Sequence, residues 1–277
     1  MKSYLKLVNF EWNRVTRLFA VLLGITFVAQ MIGVIVQANK YVKMADQSIN
    51  VDLMPKAQFL QDFGQIDFVR VVRSVWFMGP IMLCIAGVAF YIFFIWYRDW
   101  FGKNTFIYRL LMLPTSRLNI FLAKLTTILL MTFGFVAFQL MILPLENVVF
   151  KSMVPAEFRL DFGTREVIRR VPELGLIIPS SIVEFFLYYG AGLMAVSIIF
   201  AGILFERSFK WKGIILGAGY ATVAVFAFIS PLLLQDFVLN GFLYPIELLL
   251  LEILAGLIVL GVSIWTSKYL LKQKITV

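Results

Sequence analysis

Long apolar runs alternate with shorter polar segments along the whole chain. Six of the runs have about 20 residues, and at a rise of about 1.5 Å per residue each would cross a hydrocarbon core of about 30 Å. The pattern predicts transmembrane helices over residues 18–39, 75–97, 125–145, 185–205, 213–235 and 246–267. The first run is longer than the apolar stretch of about 7 to 15 residues in a cleaved signal peptide, so we interpret it as a retained span.

Residues 1–17 have the period of an amphipathic helix, with one apolar and one polar face. The apolar face carries Tyr4, Leu7, Val8, Trp12 and Val15. We expect this helix to lie in the membrane interface, with Trp12 at headgroup depth. Glu11 projects from the apolar side, which leaves two interpretations open. Its carboxylate either meets water at the edge of the face, or pairs with a cation of residues 98–124 or of a partner protein.

Charge predicts how the spans are threaded. With the N-terminus inside, the inner segments hold fifteen Lys and Arg against three acids, while the outer segments hold ten of each. This excess of inner cations predicts that both termini are cytoplasmic. Residues 40–74 and 146–184 then form two long outer loops, and residues 98–124 form a cytoplasmic region. In the first loop Phe59, Phe63 and Ile66 recur at helical spacing, so we expect a short helix on the membrane surface there.

Composition agrees with this class. The chain is 61% apolar, with a mean hydropathy of +0.90, and we predict an all-α polytopic membrane protein with one membrane domain over residues 18–277. The net charge of +9 is spread over the segments between the apolar runs, so lipid headgroups are the expected partner and nucleic acid is not. Cys84 is the only cysteine. It can form neither an intrachain disulfide nor a metal site by itself.

The residue types that most enzymes need are missing. The 277 residues contain no histidine, no paired-histidine zinc motif, no acidic magnesium cluster and no glycine-rich phosphate loop. We therefore do not expect an enzyme or a cofactor bound by this chain. If nucleotide energy is used, it must come from another polypeptide.

Three carboxylates lie within or at the edges of the predicted spans, where charge is unfavourable. Glu184 and Glu247 stand near span ends, where interfacial anchoring is the simpler interpretation. Glu252 lies deeper and is the strongest candidate for a buried functional acid. The three residues are candidates for a translocation path. They also support an alternative function, a proton- or cation-coupled secondary transporter or channel that uses Glu252.

Residues 98–124 have a pattern of their own. Asn104 can cap a short helix over residues 105–112, which Pro114 ends, and Thr115 with Ser116 can cap the helix that continues into the third span. Phe106, Leu110 and Leu113 fall on one side of the short helix, and Tyr108 and Arg109 fall on another. Such a helix could convey a force into the membrane, although an ordinary positively charged loop is the alternative.

The segment from Tyr108 to Arg117, YRLLMLPTSR, followed by Ala123 and Lys124, resembles a motif of ABC-2 type transporter permeases. The segment from Phe10 to Arg14, FEWNR, looks like the connecting helix before the first span in that family. The long outer loops after spans one and three are more like those of small bacterial permeases that handle antimicrobial or amphipathic peptides.

The resemblance implies the membrane subunit of a bacterial plasma-membrane exporter. Two permease chains, identical or different, would work with two separate ATPase subunits that bind ATP and Mg. Cargo would be hydrophobic or amphipathic. Residues 98–124 would include the coupling helix, and residues 206–212 a second contact with the ATPase. The implied coupling residues are Asn104, Thr105, Phe106, Tyr108, Arg109, Leu113, Pro114, Arg117, Glu206 and Arg207, and those implied in the connecting helix are Glu11, Trp12 and Arg14.

Overall fold

The computed structural model describes residues 2–101, 106–238 and 241–275. In these ranges the chain forms α1 (Lys2–Asp46), α2 (Lys56–Phe63), α3 (Phe68–Val72), α4 (Val75–Trp100), α5 (Phe106–Leu111), α6 (Arg117–Met153), α7 (Thr164–Arg170), α8 (Pro172–Ile177), α9 (Ile182–Phe209), α10 (Trp211–Phe237) and α11 (Pro245–Tyr269). Short π-helical segments, Gln47–Val51 and Leu270–Lys274, continue α1 and α11.

Six of these helices, α1, α4, α6, α9, α10 and α11, are long and apolar enough to cross a membrane. The chain is an all-α polytopic membrane protein, as its hydrophobic pattern predicts. All six contain the predicted runs, but they extend beyond them.

Two helices extend far enough to change the interpretation of their flanks. The 45 residues of α1 include both the amphipathic segment and the first span, so no helix end separates the two at residue 17. The 37 residues of α6 run eight residues past the predicted end of the third span. Asn147 and Phe150 are buried in this extension, at helical spacing from the buried Leu143, so the extension continues a buried face of the helix.

The chain divides into two compact units. The first comprises residues 1–14, 88–130 and 181–277, and the second comprises residues 15–87 and 131–180.

In the second unit the two long loops fold together. We call residues 47–74 and 154–180 the loop lobe. Strand β1 (Ile66–Asp67) pairs in parallel with β2 (Arg159–Leu160), and the Arg73 guanidinium donates a hydrogen bond of 2.7 Å to the Arg170 carbonyl. The predicted short helix exists as α2. Phe59 on this helix is fully buried in the apolar core of the unit, so it does not face a membrane surface.

Next to β2, Asp161 accepts a hydrogen bond of 3.0 Å from Arg159, and its carboxylate lies 3.4 Å from the Lys151 ammonium. Its slight burial acts to raise the pKa of Asp161, but the hydrogen bonds and positive charge of Arg159 and Lys151 outweigh burial and lower that pKa. The carboxylate is therefore ionised at neutral pH and holds the two cations at the end of α6.

In the first unit α9, α10 and α11 pack against one another. Helices α9 and α10 form a hairpin in which Lys210 alone separates them, with a positive φ of 53° that glycine adopts more readily than lysine. A Cβ atom on Gly213 would lie 2.1 Å from the carbonyl oxygen of Phe205, and one on Gly217 would lie 2.9 Å from that of Gly202. The absence of side chains at these glycines lets the two backbones approach closely.

A single side chain joins the end of α10 to the segment that precedes α11. The Gln235 side chain donates to the Leu243 carbonyl at 3.0 Å and accepts from the Leu243 N–H at 3.1 Å. One side-chain amide thus connects the end of α10 to the residue before Tyr244.

The close approach at Gly213 yields a stability prediction. Gly213→Ala should lower the free energy of unfolding by roughly 1–3 kcal/mol, because the added methyl group meets backbone atoms that cannot rotate away. Thermal unfolding of the detergent-solubilised protein, followed by fluorescence-detected size exclusion, measures the change as a fall in the melting temperature.

Gly219→Ala is the matched control on the same helix. A Cβ atom there meets nothing within 4 Å, so the helix preference of alanine should leave stability unchanged or slightly raised. Equal melting temperatures for the two variants would contradict the packing account.

Candidate functional site

A cluster of buried charges lies in the first unit, where α1, α4 and α6 meet. Lys124 is at its centre. The Lys124 ammonium donates to Glu11 at 2.7 Å, to Asp99 at 2.5 Å and to the Ile95 carbonyl at 2.8 Å. Lys124 and Asp99 are 0% exposed and Glu11 is 2% exposed. All three N–H donors of the ammonium are therefore used away from water.

Two arginines complete what we call the ion cluster. The Arg98 guanidinium donates to the second oxygen of Glu11 at 2.8 Å, and the Arg14 guanidinium donates to the second oxygen of Asp99 at 2.8 Å. Both arginines remain partly exposed at the edge of the cluster. Each carboxylate oxygen thus has a cationic partner, the condition under which buried charge is tolerated.

The ion cluster decides between the two interpretations of Glu11. The carboxylate pairs with Arg98 and Lys124, so the prediction of a partner within residues 98–124 is confirmed and contact with water at the edge of the helix is wrong. Arg98 in α4 and Lys124 in α6 therefore both belong to the ion cluster. Sequence reasoning counted Asp99 only as an acid and assigned it no role.

Helix α5 is attached to α1 beside the ion cluster. The Phe106 ring stacks on the Phe10 ring with centroids 5.6 Å apart, and the Arg14 guanidinium lies 5.1 Å and 5.3 Å from these two rings. Arg14 therefore contacts α5 and Asp99 at once. Phe106, Leu110, Leu113 and Pro114 line a groove of about 460 Å³ against the N-terminal turns of α1.

The other side of α5 is open. Tyr108 is 41% exposed, and Arg109 beside it is also exposed. The predicted separation of an apolar side from a side with Tyr108 and Arg109 therefore agrees with the structure. Two further predicted coupling residues, Asn104 and Thr105, lie outside the described residues.

Arg117 is placed differently from an exposed docking residue. At the start of α6 its guanidinium donates to the carbonyl oxygens of Leu271 at 2.6 Å and Ile275 at 2.7 Å. These carbonyls belong to the end of the last helix, where a cation is favourable. Arg117 thus fastens residues 271–275 to the start of α6.

Glu206 and Arg207 lie near the end of α9, against the end of α4. The Tyr97 hydroxyl donates a hydrogen bond to Glu206, and the Arg207 guanidinium lies 4.7 Å from the Tyr97 ring and 5.6 Å from the Trp100 ring. The predicted second contact with an ATPase is therefore joined to the same end of α4 that carries Asp99.

Trp12, one residue after Glu11, is partly buried.

The three candidate carboxylates of the translocation path have different environments. Glu247 is part of the capping box at the start of α11, where it accepts the Tyr244 N–H at 3.0 Å. Glu184 lies in the first turn of α9, and its backbone N–H is capped by Ser181 at 3.2 Å. Glu252 lines a cavity, and one of its carboxylate oxygens is buried with no hydrogen-bond partner among the described residues.

A fourth carboxylate was missed. Glu146 is 0% exposed inside α6, and both its oxygens lack a hydrogen-bond partner in the described part of the chain. Sequence reasoning placed it in a loop because it follows the last apolar residue of the run. The helical spacing of the next buried positions was the signal that could have found it.

No family model matches the chain, and no match was found among the curated proteins or the solved structures. The resemblance to ABC-2 type permeases therefore continues to rest on the residues quoted for it. What the geometry itself offers is a charged junction between three helix segments and a short helix beside it.

The ion cluster predicts a strong effect of removing its central charge. Lys124→Met should destabilise the protein by about 3–5 kcal/mol, because Glu11 and Asp99 would remain buried with one cationic partner fewer. Thermal unfolding in detergent, together with the yield of monodisperse protein, measures this loss.

Lys56→Met is the matched control. Lys56 forms an exposed ion pair of 3.0 Å with Glu157, and such pairs contribute about 0–1 kcal/mol. If Lys124→Met were as well tolerated as Lys56→Met, the ion cluster could not be the junction described above.

Proposed function

We propose that this chain is the permease subunit of an ATP-driven exporter in a bacterial plasma membrane. Two permease chains would form the pathway and two separate ATPase subunits would bind ATP and Mg. The observation that carries the proposal is the ion cluster, because it joins α1, α4 and α6 at the place where α5 is attached.

The connection gives α5 the mechanical role of a coupling helix. Phe106 stacks on Phe10 of α1, and Arg14 on the next turn reaches Asp99 of α4. Asp99 in turn holds Lys124 of α6. A displacement of α5 would therefore pull on three spans together. Because bonds to buried charges are costly to break, the ends of these spans would move as one body.

The exposed side of α5 is a suitable contact for an ATPase. Tyr108 and Arg109 supply an aromatic ring and a cation, which are residue types enriched in the centres of protein interfaces. Glu206 and Arg207 add a second contact at the end of α4. Closure of the ATPases on ATP would displace α5, and the pathway between the two permease chains would open to the outside.

The excess of inner cations supports cytoplasmic termini and a cytoplasmic α5. The loop lobe would then face outside. Apolar, aromatic-rich spans favour a hydrophobic or amphipathic cargo, including antimicrobial or toxic peptides, over a small polar ion.

The first test is biochemical. The native chain, isolated from its own cells in mild detergent, should carry a partner that hydrolyses ATP. The double variant Tyr108→Ala, Arg109→Glu should lose most of the associated ATP hydrolysis, by about tenfold or more, because it removes a ring and reverses a charge at the contact.

Arg169→Glu is the control for charge reversal, since Arg169 is exposed on the loop lobe and should not touch a cytoplasmic partner. Both variants should keep the melting temperature of the wild type. Isolation with no ATP-hydrolysing partner, or full ATPase activity in the α5 double variant, would remove the proposal.

A second function is favoured by one observation, the unpaired buried oxygen of Glu252. A secondary transporter could use this carboxylate to carry a proton or a cation. It predicts uptake into proteoliposomes driven by a proton or sodium gradient without ATP, and loss of that uptake in Glu252→Gln. Transport that requires ATP and ignores both gradients would dismiss this alternative.

A further inference from the structure

A small cavity lies among α9, α10 and α11. Its volume is about 120 Å³, and its wall is formed by side chains and backbone of these three helices alone. The residues that matter for its chemistry are Phe186, Gly190, Phe228, Glu252 and Gly256.

Glu252 is the single ionisable residue among the described residues of the wall. It lies about 10 Å along α11 from the start of that helix, since it is seven positions after Pro245 and the rise is about 1.5 Å per position. One of its oxygens is buried without a hydrogen-bond partner. A buried acceptor without a partner is unfavourable, so a hydrogen-bond donor that enters the cavity would be stabilised there.

The rest of the wall limits what that donor can be. The other residues of the wall are apolar or glycine, and Phe186 and Phe228 among them carry aromatic rings, which attract cations. An anion is repelled by the carboxylate. Ca²⁺ would need about 6–8 oxygen ligands, and the wall supplies one carboxylate.

The absence of side chains at Gly190 and Gly256 leaves room for the cavity. A Cβ atom on Gly190 would meet nothing within 4 Å, and one on Gly256 would touch the Phe228 ring at 3.4 Å. A larger residue at position 190 would therefore enter the cavity without moving a helix.

We propose that this cavity binds an alkylammonium group, with the ammonium at the Glu252 carboxylate and the first methylene groups against the apolar wall. The ammonium can belong to a cationic amphipathic cargo or to a phosphatidylethanolamine headgroup. If the ammonium belongs to a cargo, the inference rests on the proposed function, because the cavity then defines the chemical class of the exported compound.

The test uses the full-length chain in phosphatidylcholine nanodiscs and radiolabelled octylammonium, read by scintillation proximity. Octanol and octyl sulfate, which share the tail but lack the positive charge, serve as competitors. The cation should bind about tenfold or more tightly than either competitor, and Glu252→Gln should weaken its binding by about tenfold or more.

Glu247→Gln is the matched control, since this residue lies on the same helix and outside the cavity wall. Its affinity for octylammonium should equal that of the wild type. Gly190→Leu should abolish binding by filling the cavity, whereas Gly192→Leu should not, because Gly192 is not part of the wall and a side chain there has open space.

A second arm separates the two sources of the ammonium. With phosphatidylethanolamine in the nanodisc, competition would lower the apparent affinity for octylammonium if the lipid is the occupant. An unchanged affinity would assign the site to an amphipathic cargo. Both results uphold an ammonium site.

Equal binding by wild type and Glu252→Gln, or equal binding of octylammonium and octanol, would overturn the proposal. The measurement needs no ATPase. An ammonium site without an ATP-hydrolysing partner would therefore refute the proposed exporter alone, and an active exporter without the site would refute only this inference.

Discussion

The Lys124 ammonium is the charge around which the first unit is organised. An ammonium group removed from water is very unfavourable unless its three donors are satisfied and its charge is neutralised. Here Glu11 of α1 and Asp99 of α4 supply the negative charges, and the Ile95 carbonyl of α4 accepts the third hydrogen bond. Lys124 itself lies in α6. The need to satisfy one buried cation thus determines how three helix segments meet, and it places α5 next to the junction.

Local patterns predicted a large part of this structure. The six apolar runs, the proline stop after α5 and the conflict between Glu11 and its apolar face are all readable from short stretches. The pairing of Ile66 with Arg159, the choice of Lys124 and Asp99 as partners and the folding of two loops into one lobe are not. They depend on contacts between residues far apart in sequence, and the period of a single helix contains no information about them.

The buried or span-edge glutamates differ because their surroundings differ. Glu247 satisfies a helix end, and Glu11 neutralises two cations. Glu252 and Glu146 have buried oxygens with no partner among the described residues. Residue type and position in a span could nominate Glu184, Glu247 and Glu252 as a group. Only the neighbouring atoms show whether such a carboxylate caps a helix or has a buried oxygen without a hydrogen-bond donor.

The ion cluster also bears on how the protein is made. Glu11 and Lys124 are 113 positions apart, and a ribosome that adds roughly 5–20 residues per second needs on the order of ten seconds to cover that distance. During this interval Glu11 exists without Lys124, and Arg98 is made before Lys124. The complete junction of α1, α4 and α6 can therefore close only after the start of α6 has been made.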